Sequence, residues 1–288
     1  MTASSIEPTP AKRAILQVLW GPLAYRKAVI EPGHTLTVGR ADPAELVIAH
    51  DEALSEKHFE LAWDGRECRL RDLKSAEGTR VGGVRIEETQ VANGGWVRAG
   101  ATDFAVYIEG TTPPRDAGSG RTPSASVMRA LEVLRGQTVP LYAVLDPAKD
   151  DRILEVLRES VEEYRSLYTG PQGEALADVA PHLVSLPRGS RLLEDLVHEG
   201  WGKGWGVYVA CPLPFVELRR HFRKFLLVEI EEDERYYFRF YDPSVLRAFL
   251  PSCIVEQKKD FFGKIHHFVL EDETGEAITI AGDHRRAA

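Results

Sequence analysis

The sequence has few of the residues and segments that several protein classes require. Its cysteines, Cys68, Cys211 and Cys253, are widely separated and form no Cys-x-x-Cys pair, so neither a disulfide framework nor a structural zinc site is predicted. No apolar run approaches the roughly 20 residues of a transmembrane helix. The first residues lack the basic and apolar blocks of a secretory signal. We therefore expect a cytoplasmic protein that does not enter the membrane and uses no metal or other cofactor.

An excess of basic charge is also missing. The chain has 36 Lys and Arg against 44 Asp and Glu, a net charge of -8 over 288 residues, which argues against nucleic acid as a partner. The length is sufficient for two domains with separate cores. Residues 111–126 are poor in apolar side chains and rich in Pro, Gly, Ser and Thr, the composition of a linker. The predicted division is a disordered N-terminus (1–12), a first domain (13–110), the linker (111–126), a second domain (127–281) and a tail (282–288).

Short motifs separated by β-type runs extend through the first domain. Arg40 follows an alternating run at a predicted strand end, and Ser55 lies in a polar loop between two predicted strands. A guanidinium matches two phosphate oxygens, and a hydroxyl held on a loop adds a short donor. The pair therefore predicts a clamp for a phosphate monoester. The motifs are Val38-Gly39-Arg40, Ser55-Glu56-Lys57-His58, Ser75-Ala76-Glu77-Gly78-Thr79 and Gly82-Gly83.

In this order the motifs resemble those of forkhead-associated (FHA) domains, which are β-sandwiches whose loops bind phosphothreonine. The resemblance implies an all-β sandwich and a phosphothreonine protein as a partner. In such a domain Gly39 and His58 have structural roles in the loops, and His58 is not a catalytic base. The phosphopeptide-binding residues that the resemblance implies are Arg40, Ser55, Gly78 and Thr79.

The sequence departs from the FHA pattern at two acidic positions. Glu77 stands where the family usually has an asparagine that holds the peptide backbone, and Glu56 follows the loop serine. A carboxylate roughly 6 Å from a doubly charged phosphate opposes binding by about 2–3 kcal/mol at an effective dielectric of about 40. One hydrogen bond to a charged group contributes about 1.5–3 kcal/mol. Each glutamate therefore cancels about one good contact, and weak phosphopeptide binding is expected.

The second domain shows mixed periodicity. Residues 127–135 predict a short amphipathic helix that ends at Gly136, and residues 139–145 predict a buried strand. A long helix is predicted after the strand, because apolar side chains recur at helical spacing from Ile153 to Tyr168. Later segments again alternate between strands and helices. The fold class expected is α+β, a mixed α/β domain, behind an all-β sandwich.

Two Asp-Pro pairs, at Asp146 and Asp242, each lie between a predicted strand and a predicted helix. Aspartate is a favoured N-cap, and proline at the next position has no amide proton that would go unpaired, so both are predicted to be helix caps. The alternative is a hydrolytic enzyme that uses the two carboxylates as acid and base. The sequence offers no nucleophile, metal set or phosphate loop in support of it, and the glycine-rich residues 200–206 match no nucleotide-binding fingerprint.

Arginines supply the candidate contacts to a partner in this domain. Arg219 and Arg220 belong to a basic run in a predicted helix, where they would either contact an acidic partner or complement the helix dipole. Residues 235–249 combine aromatic side chains with arginine, the residue types enriched at interfaces. Arg239 and Arg247 are the charged candidates there.

Residues 139–281 resemble the family known as domain of unknown function 4123. The motifs that carry the resemblance are Leu141-Tyr142-Ala143-Val144-Leu145-Asp146, Ala180-Pro181-His182-Leu183-Val184, Trp205-Gly206-Val207, Leu218-Arg219-Arg220-His221-Phe222 and Phe238-Arg239-Phe240-Tyr241-Asp242-Pro243-Ser244-Val245. Members look like adaptors or chaperones of bacterial type VI secretion, without an established catalytic set. The implied partners are a secreted effector protein and the VgrG spike protein. The function expected is a non-enzymatic adaptor with an FHA module for docking.

Overall fold

The computed structural model describes residues 12–115, 123–231 and 234–282. The described residues that fall in Met1–Thr112 and Arg158–Val161 form one compact unit, and those that fall in Pro113–Leu157 and Glu162–Ala288 form the other. The predicted N-terminal segment and tail lie almost wholly outside the described residues, as does the middle of the predicted linker. Among the described residues, no helix combines the length and the apolar character needed to cross a membrane.

The first unit is a sandwich of two β-sheets, as predicted. One sheet has the order β2-β1-β11-β10-β7-β8 and the other β4-β3-β5-β6-β9. All pairings are antiparallel except that of β3 with β4. The strands are β1 (Ala14–Val18), β2 (Lys27–Ile30), β3 (His34–Gly39), β4 (Leu46–Val47), β5 (Phe59–Trp63), β6 (Cys68–Asp72), β7 (Thr79–Val81), β8 (Val84–Ile86), β9 (Glu88–Val91), β10 (Gly95–Ala99) and β11 (Thr102–Ile108).

Alternating burial explains why these strands form a sandwich. Along β5 the residues Phe59, Leu61 and Trp63 are buried and the two between them are half-buried, because successive side chains point to opposite faces. The inward set packs into one core, in which the rings of Phe59 and Phe104 meet edge to face at 5.6 Å. The loops at the β3 end of this core carry the predicted phosphate clamp.

The second unit has an antiparallel six-stranded sheet of order β13-β14-β12-β15-β18-β19, a separate hairpin β16-β17, and helices, which is the α+β class predicted. Its strands are β12 (Leu141–Leu145), β13 (Tyr164–Ser166), β14 (His182–Leu186), β15 (Gly206–Ala210), β16 (Leu227–Glu231), β17 (Glu234–Tyr237), β18 (His267–Glu271) and β19 (Ala277–Ala281). Its helices are α1 (Ala125–Arg135), α2 (Arg152–Arg158), α3 (Gly170–Ala175), α4 (Arg191–Gly200), α5 (Phe215–Arg223), α6 (Pro243–Ser252) and α7 (Val255–Phe262).

Several predicted boundaries differ from the structure. Helix α1 begins at Ala125, inside the predicted linker, because the Ser124 side chain accepts a hydrogen bond from the Val127 amide. The long helix predicted from Ile153 to Tyr168 is the seven-residue α2 followed by β13. There, pairing of Tyr164 with Val184 of β14 overrides the helical spacing.

Residues 158–161, predicted as part of the second domain, belong to the first unit. The reason is the carboxylate of Glu159, which is 6% exposed and accepts hydrogen bonds from the amides of Thr111 and Thr112, both at 2.8 Å. It also accepts from Asn93 Nδ2 at 2.7 Å. These partners are distant in sequence, so no local pattern predicts the assignment.

Candidate functional site

The loop that carries Ser55 lies directly on the end of strand β3. A Cβ atom added at Gly39 would be 1.9 Å from the carbonyl oxygen of Glu56, so only glycine allows the two backbones to approach this closely. The amide of the next residue, Arg40, donates to the Ser55 carbonyl at 2.9 Å. The Arg40 side chain is exposed and has neither a hydrogen bond nor an ion pair within the described part of the chain. Its guanidinium is thus available to a ligand.

Ser55 connects its own loop to the loop between β6 and β7. Its Oγ accepts a hydrogen bond from the Ala76 amide at 3.1 Å. A serine hydroxyl that accepts still has one proton to donate. The half-buried Ser55 can therefore donate to a phosphate oxygen while its position is fixed by the neighbouring loop.

His58 lies between the same two loops and is fully buried. Its Nδ1 accepts from the Ser55 amide at 3.1 Å, which places the ring proton on Nε2, and Nε2 donates to the Gly78 carbonyl at 3.3 Å. Both ring nitrogens are used in bracing the loops, and neither faces a ligand. This is the structural role that the motif resemblance implies.

Thr79 does not contribute a free hydroxyl to the site, contrary to its predicted role in phosphopeptide binding. It is 0% exposed, and its Oγ1 donates to Asp72 Oδ1 at 2.7 Å. Ser75 donates to the same carboxylate through both its amide and its hydroxyl. Burial raises the pKa of Asp72, but these hydrogen bonds outweigh burial and hold the pKa below its ordinary value. Thr79 therefore shapes the loop, and its hydroxyl is not available to a ligand.

Gly78 has a left-handed φ of +73° and lies beneath an arginine that the motif analysis did not identify. A Cβ atom built at Gly78 would be 2.5 Å from Nε of Arg85, so the guanidinium of β8 packs against this loop backbone. Arg85 is exposed and, like Arg40, has no hydrogen bond or ion pair to any described residue. Only the cross-strand geometry reveals it, since no motif links position 85 to the loop.

The two glutamates that depart from the family pattern are both exposed. Glu56 occupies the loop that covers Gly39, and Glu77 immediately precedes Gly78. Neither side chain has a hydrogen bond or ion pair among the described residues. Since no ion pair within the described residues neutralises either carboxylate, both oppose an incoming phosphate.

The His58 brace predicts a dependence of stability on pH. Burial lowers the pKa of His58 below 6.5, against a smaller opposing effect of its hydrogen bond to Gly78. Because the unfolded chain then takes up a proton at a higher pH than the folded chain, stability is complete above about pH 6.5 and falls as the pH decreases below it. Protonation at Nδ1 also removes the acceptor for the Ser55 amide.

We expect His58→Gln to lower the free energy of unfolding by about 1–3 kcal/mol at neutral pH and to flatten its decline between about pH 7 and pH 5. Thermal melting at several pH values measures both effects. The matched control is His50→Gln, since His50 is exposed. If the free energy of unfolding of His58→Gln still falls by the full amount between about pH 7 and pH 5, a group other than His58 causes the decline.

The two Asp-Pro aspartates have different roles in the second unit. Asp242 is the N-cap of α6: its Oδ1 accepts from the Ser244 amide at 2.9 Å, and its Oδ2 pairs with Lys149 Nζ at 2.8 Å. Burial raises its pKa, but the bonds from Lys149 and Ser244 prevail and lower the pKa to about 2. Such a carboxylate is a weak base near neutral pH.

Asp146 caps no helix, so that prediction is wrong. Helix α2 begins only at Arg152, and the side chain of Asp146, 2% exposed, is paired with the Arg239 guanidinium instead. Because a buried charge without a partner destabilises the fold, pairing of the Asp146 carboxylate with Arg239 prevails over capping of the distant start of α2. Both candidate catalytic carboxylates are therefore engaged by basic side chains.

The predicted partner-binding arginines are not equally available. Arg219 donates twice to the Ser166 carbonyl, at 2.8 and 2.6 Å, and Arg247 donates to the Glu271 carbonyl. The side chain of Arg239 is 46% exposed although it pairs with Asp146. Arg220 is exposed with no polar partner in the described chain. Arg220 and Arg239 are therefore the accessible members of the set.

Other features of the second unit bear on its chemistry. The described residues contain no group of three or more His, Cys, Asp or Glu side chains that could hold a metal ion. A groove of about 730 Å³ lies between α1, α4 and the adjoining ends of β12 and β14. Its lining includes Leu134, Val139, Leu186 and Leu193 and is largely apolar.

Comparison with known proteins identifies both domains. Residues 36–100 match the family model of the FHA domain, and residues 141–260 match the family described as domain of unknown function, DUF4123. The first match contains the Arg40 and Ser55 loops, and the second contains Asp146, all of α5 and α6 and most of α7. The two resemblances inferred from the motifs are thereby confirmed.

Individual relatives cover only part of the chain. The FHA domain-containing protein FhaA of Mycobacterium tuberculosis is 35% identical over 71 residues, which are 25% of this chain and 13% of that protein. A solved FHA domain from a study of phosphothreonine-dependent interactions is 30% identical, covers 35% of this chain and 98% of its own, and has a TM-score of 0.31. The FhaA FHA domain complexed with the intracellular domain of another protein is 31% identical, covers 32% and 98%, and has a TM-score of 0.30.

Proposed function

We propose that this protein is a non-enzymatic, cytoplasmic adaptor of type VI secretion. Its first unit docks a phosphothreonine protein, and its second unit binds a secreted effector and assists the loading of that effector onto the VgrG spike. The observation that carries the docking role is that Arg40, unpaired in the described chain, and Ser55 lie on adjoining segments: the Arg40 amide donates to the Ser55 carbonyl, and His58 and Gly39 hold the loops together.

The chemistry of the loops supports a phosphate monoester as the ligand. A guanidinium can bond two phosphate oxygens at once, and a serine hydroxyl adds a short donor to a third. The exposed Glu56 and Glu77 oppose an anion, so the affinity is modest and depends on salt. The match of residues 36–100 to the FHA family model supports the same ligand class.

The proposal for the second unit depends on the resemblance of residues 139–281 to DUF4123 proteins that act as effector adaptors. The exposed arginines and aromatic side chains of this unit support a protein-binding surface: Arg220 on α5, and Arg239 close to Tyr237, which is 58% exposed. Arginine and tyrosine contribute disproportionately to binding energy at protein interfaces.

A secretion assay tests the proposal. In a strain without this protein, the cognate effector should be unstable or absent from the medium, while the secretion apparatus still releases its structural components. Complementation with the full chain should restore effector export. Unchanged effector export in the deletion strain would contradict the adaptor role.

The non-enzymatic part of the proposal predicts how Asp242 variants behave. Asparagine caps a helix about as well as aspartate, whereas alanine loses about 1 kcal/mol more, and asparagine cannot act as a general base. We expect Asp242→Asn to retain effector export and Asp242→Ala to melt at a lower temperature than Asp242→Asn. A stable Asp242→Asn protein that no longer supports export would favour a catalytic carboxylate.

A further inference from the structure

The outer face of the larger sheet of the first unit carries a row of arginines across three adjacent strands. The antiparallel register places Arg80 of β7 directly opposite Arg85 of β8, and directly opposite Arg98 of β10 on its other side. Residues opposite each other in a sheet lie on the same face. We call Arg85, Arg80 and Arg98 the arginine row.

Such an arrangement is unfavourable for the fold alone. Like charges directly opposite on neighbouring strands destabilise a sheet. Arg98 is compensated by Asp103, which lies opposite it on β11 and bonds it at 3.0 Å. Arg80 and Arg85 are exposed and have neither a hydrogen bond nor an ion pair with any described residue. The uncompensated charge is thus confined to the Arg80 and Arg85 end of the row.

That end of the row adjoins the phosphate loops. The Arg85 guanidinium packs against Gly78, whose carbonyl is bonded by His58 within the loop structure that also positions Ser55. An anionic segment bound at Arg40 and Ser55 can therefore continue onto the row. Glu77 lies beside Gly78, and the row supplies positive charge where that glutamate would otherwise repel an acidic ligand.

We propose that the arginine row is a second binding site on the first unit, for a short acidic run of Asp or Glu on the same partner that carries the phosphothreonine. Neighbouring strands are about 4.8 Å apart, so the row is about 10 Å long and is matched by about three residues of an extended peptide. The inference rests on the proposed phosphothreonine docking for the first part of the ligand. It adds the partner's acidic run as a determinant of specificity.

Calorimetry of the full chain with three synthetic peptides tests the proposal. The first peptide has a phosphothreonine flanked by acidic residues, the second has the same phosphothreonine with neutral flanks, and the third has the acidic flanks without phosphate. Each peptide is made in two versions, one with the flanking residues before the threonine and one with them after it. At low salt we expect the acidic phosphopeptide to bind about five- to tenfold more tightly than the neutral one.

Arg80→Ala should reduce this preference and leave the affinity for the neutral phosphopeptide unchanged. The double variant Arg80→Ala/Arg85→Ala should abolish the preference. Its melting temperature should be equal to or above that of the wild type, because a like-charge pair is removed. The matched control is Arg66→Ala, since Arg66 is exposed in the β5–β6 turn at the opposite end of the sandwich. A preference that survives in the double variant, or equal affinities in the wild type, would overturn the proposal.

The peptides also separate this inference from the proposed function. If the acidic peptide without phosphate binds in a manner that depends on Arg80 and Arg85, and phosphate adds nothing, the arginine row is supported and phosphothreonine docking is wrong. If phosphate raises affinity but the flanks have no effect, docking is supported and the arginine row is wrong. Absence of binding by all three peptides would contradict both.

Discussion

Replacement of Arg40 by alanine is expected to reduce the affinity of the first unit for phosphothreonine peptides by at least about 100-fold, to below detection if the wild-type affinity is modest. Arg40 follows Gly39, its amide donates to the Ser55 carbonyl, and its guanidinium has no partner among the described residues. Its two charged hydrogen bonds to phosphate would contribute about 1.5–3 kcal/mol each. The Arg40 amide bond to Ser55 is unaffected by the substitution, so the fold should persist.

Calorimetry at low salt with matched phosphorylated and unphosphorylated peptides measures this loss. Arg66→Ala again serves as the control, because it removes one exposed arginine far from the loops. The free energies of unfolding of both variants, obtained from thermal melting, should lie within about 0.5 kcal/mol of the wild-type value. Binding that Arg40→Ala leaves intact would mean that this module docks its partner without phosphate.

Reversal of charge at Arg220 is expected to reduce effector retention by the second unit by at least about tenfold. Arg220 and Val216, which is 63% exposed, are four residues apart on α5 and form its outer face. The buried face of α5 consists of Phe215, Leu218 and Phe222, so the change does not touch the core. Effector that copurifies with tagged Arg220→Glu protein, quantified against the wild type, gives the result.

Two comparisons make the Arg220 experiment specific. Lys264→Glu reverses a charge at an exposed position of the same unit, outside α5, and should retain the effector. Arg219→Ala should instead lower the melting temperature, since Arg219 donates twice to the Ser166 carbonyl. Equal loss of effector in the Lys264 and Arg220 variants would indicate a general effect of charge and not a defined surface.

The sequence motifs predicted both domain families and both fold classes, because turn glycines, strand periodicity and loop motifs are local features. The position of Arg40 at a strand end is of this kind. The burial of the Thr79 hydroxyl was not predictable, because it depends on a hydrogen bond to the Asp72 carboxylate, whose orientation is set by the folded loop. The need for glycine at position 39 was not predictable either, because it comes from the close approach of the Glu56 backbone and not from a turn at Gly39 itself.

Long-range pairing accounts for the other differences. Asp146 pairs with Arg239, 93 residues away, and Lys149 pairs with the second Asp-Pro aspartate, Asp242. The preference of aspartate for helix N-caps cannot predict such partners, since the sheet and α6 bring them together in the folded chain. Arg85 was overlooked for the same reason, because only strand register places it beside Arg80 and over Gly78.

The most direct test of the proposed two-site adaptor role is one quantitative capture experiment on the full chain in its native host, with wild type, Arg40→Ala and Arg220→Glu compared side by side. The account predicts two separable losses. Arg40→Ala should lose a phosphothreonine protein and keep the secreted effector, whereas Arg220→Glu should lose the effector and keep the phosphothreonine protein. Identical partner sets in all three proteins would contradict the account.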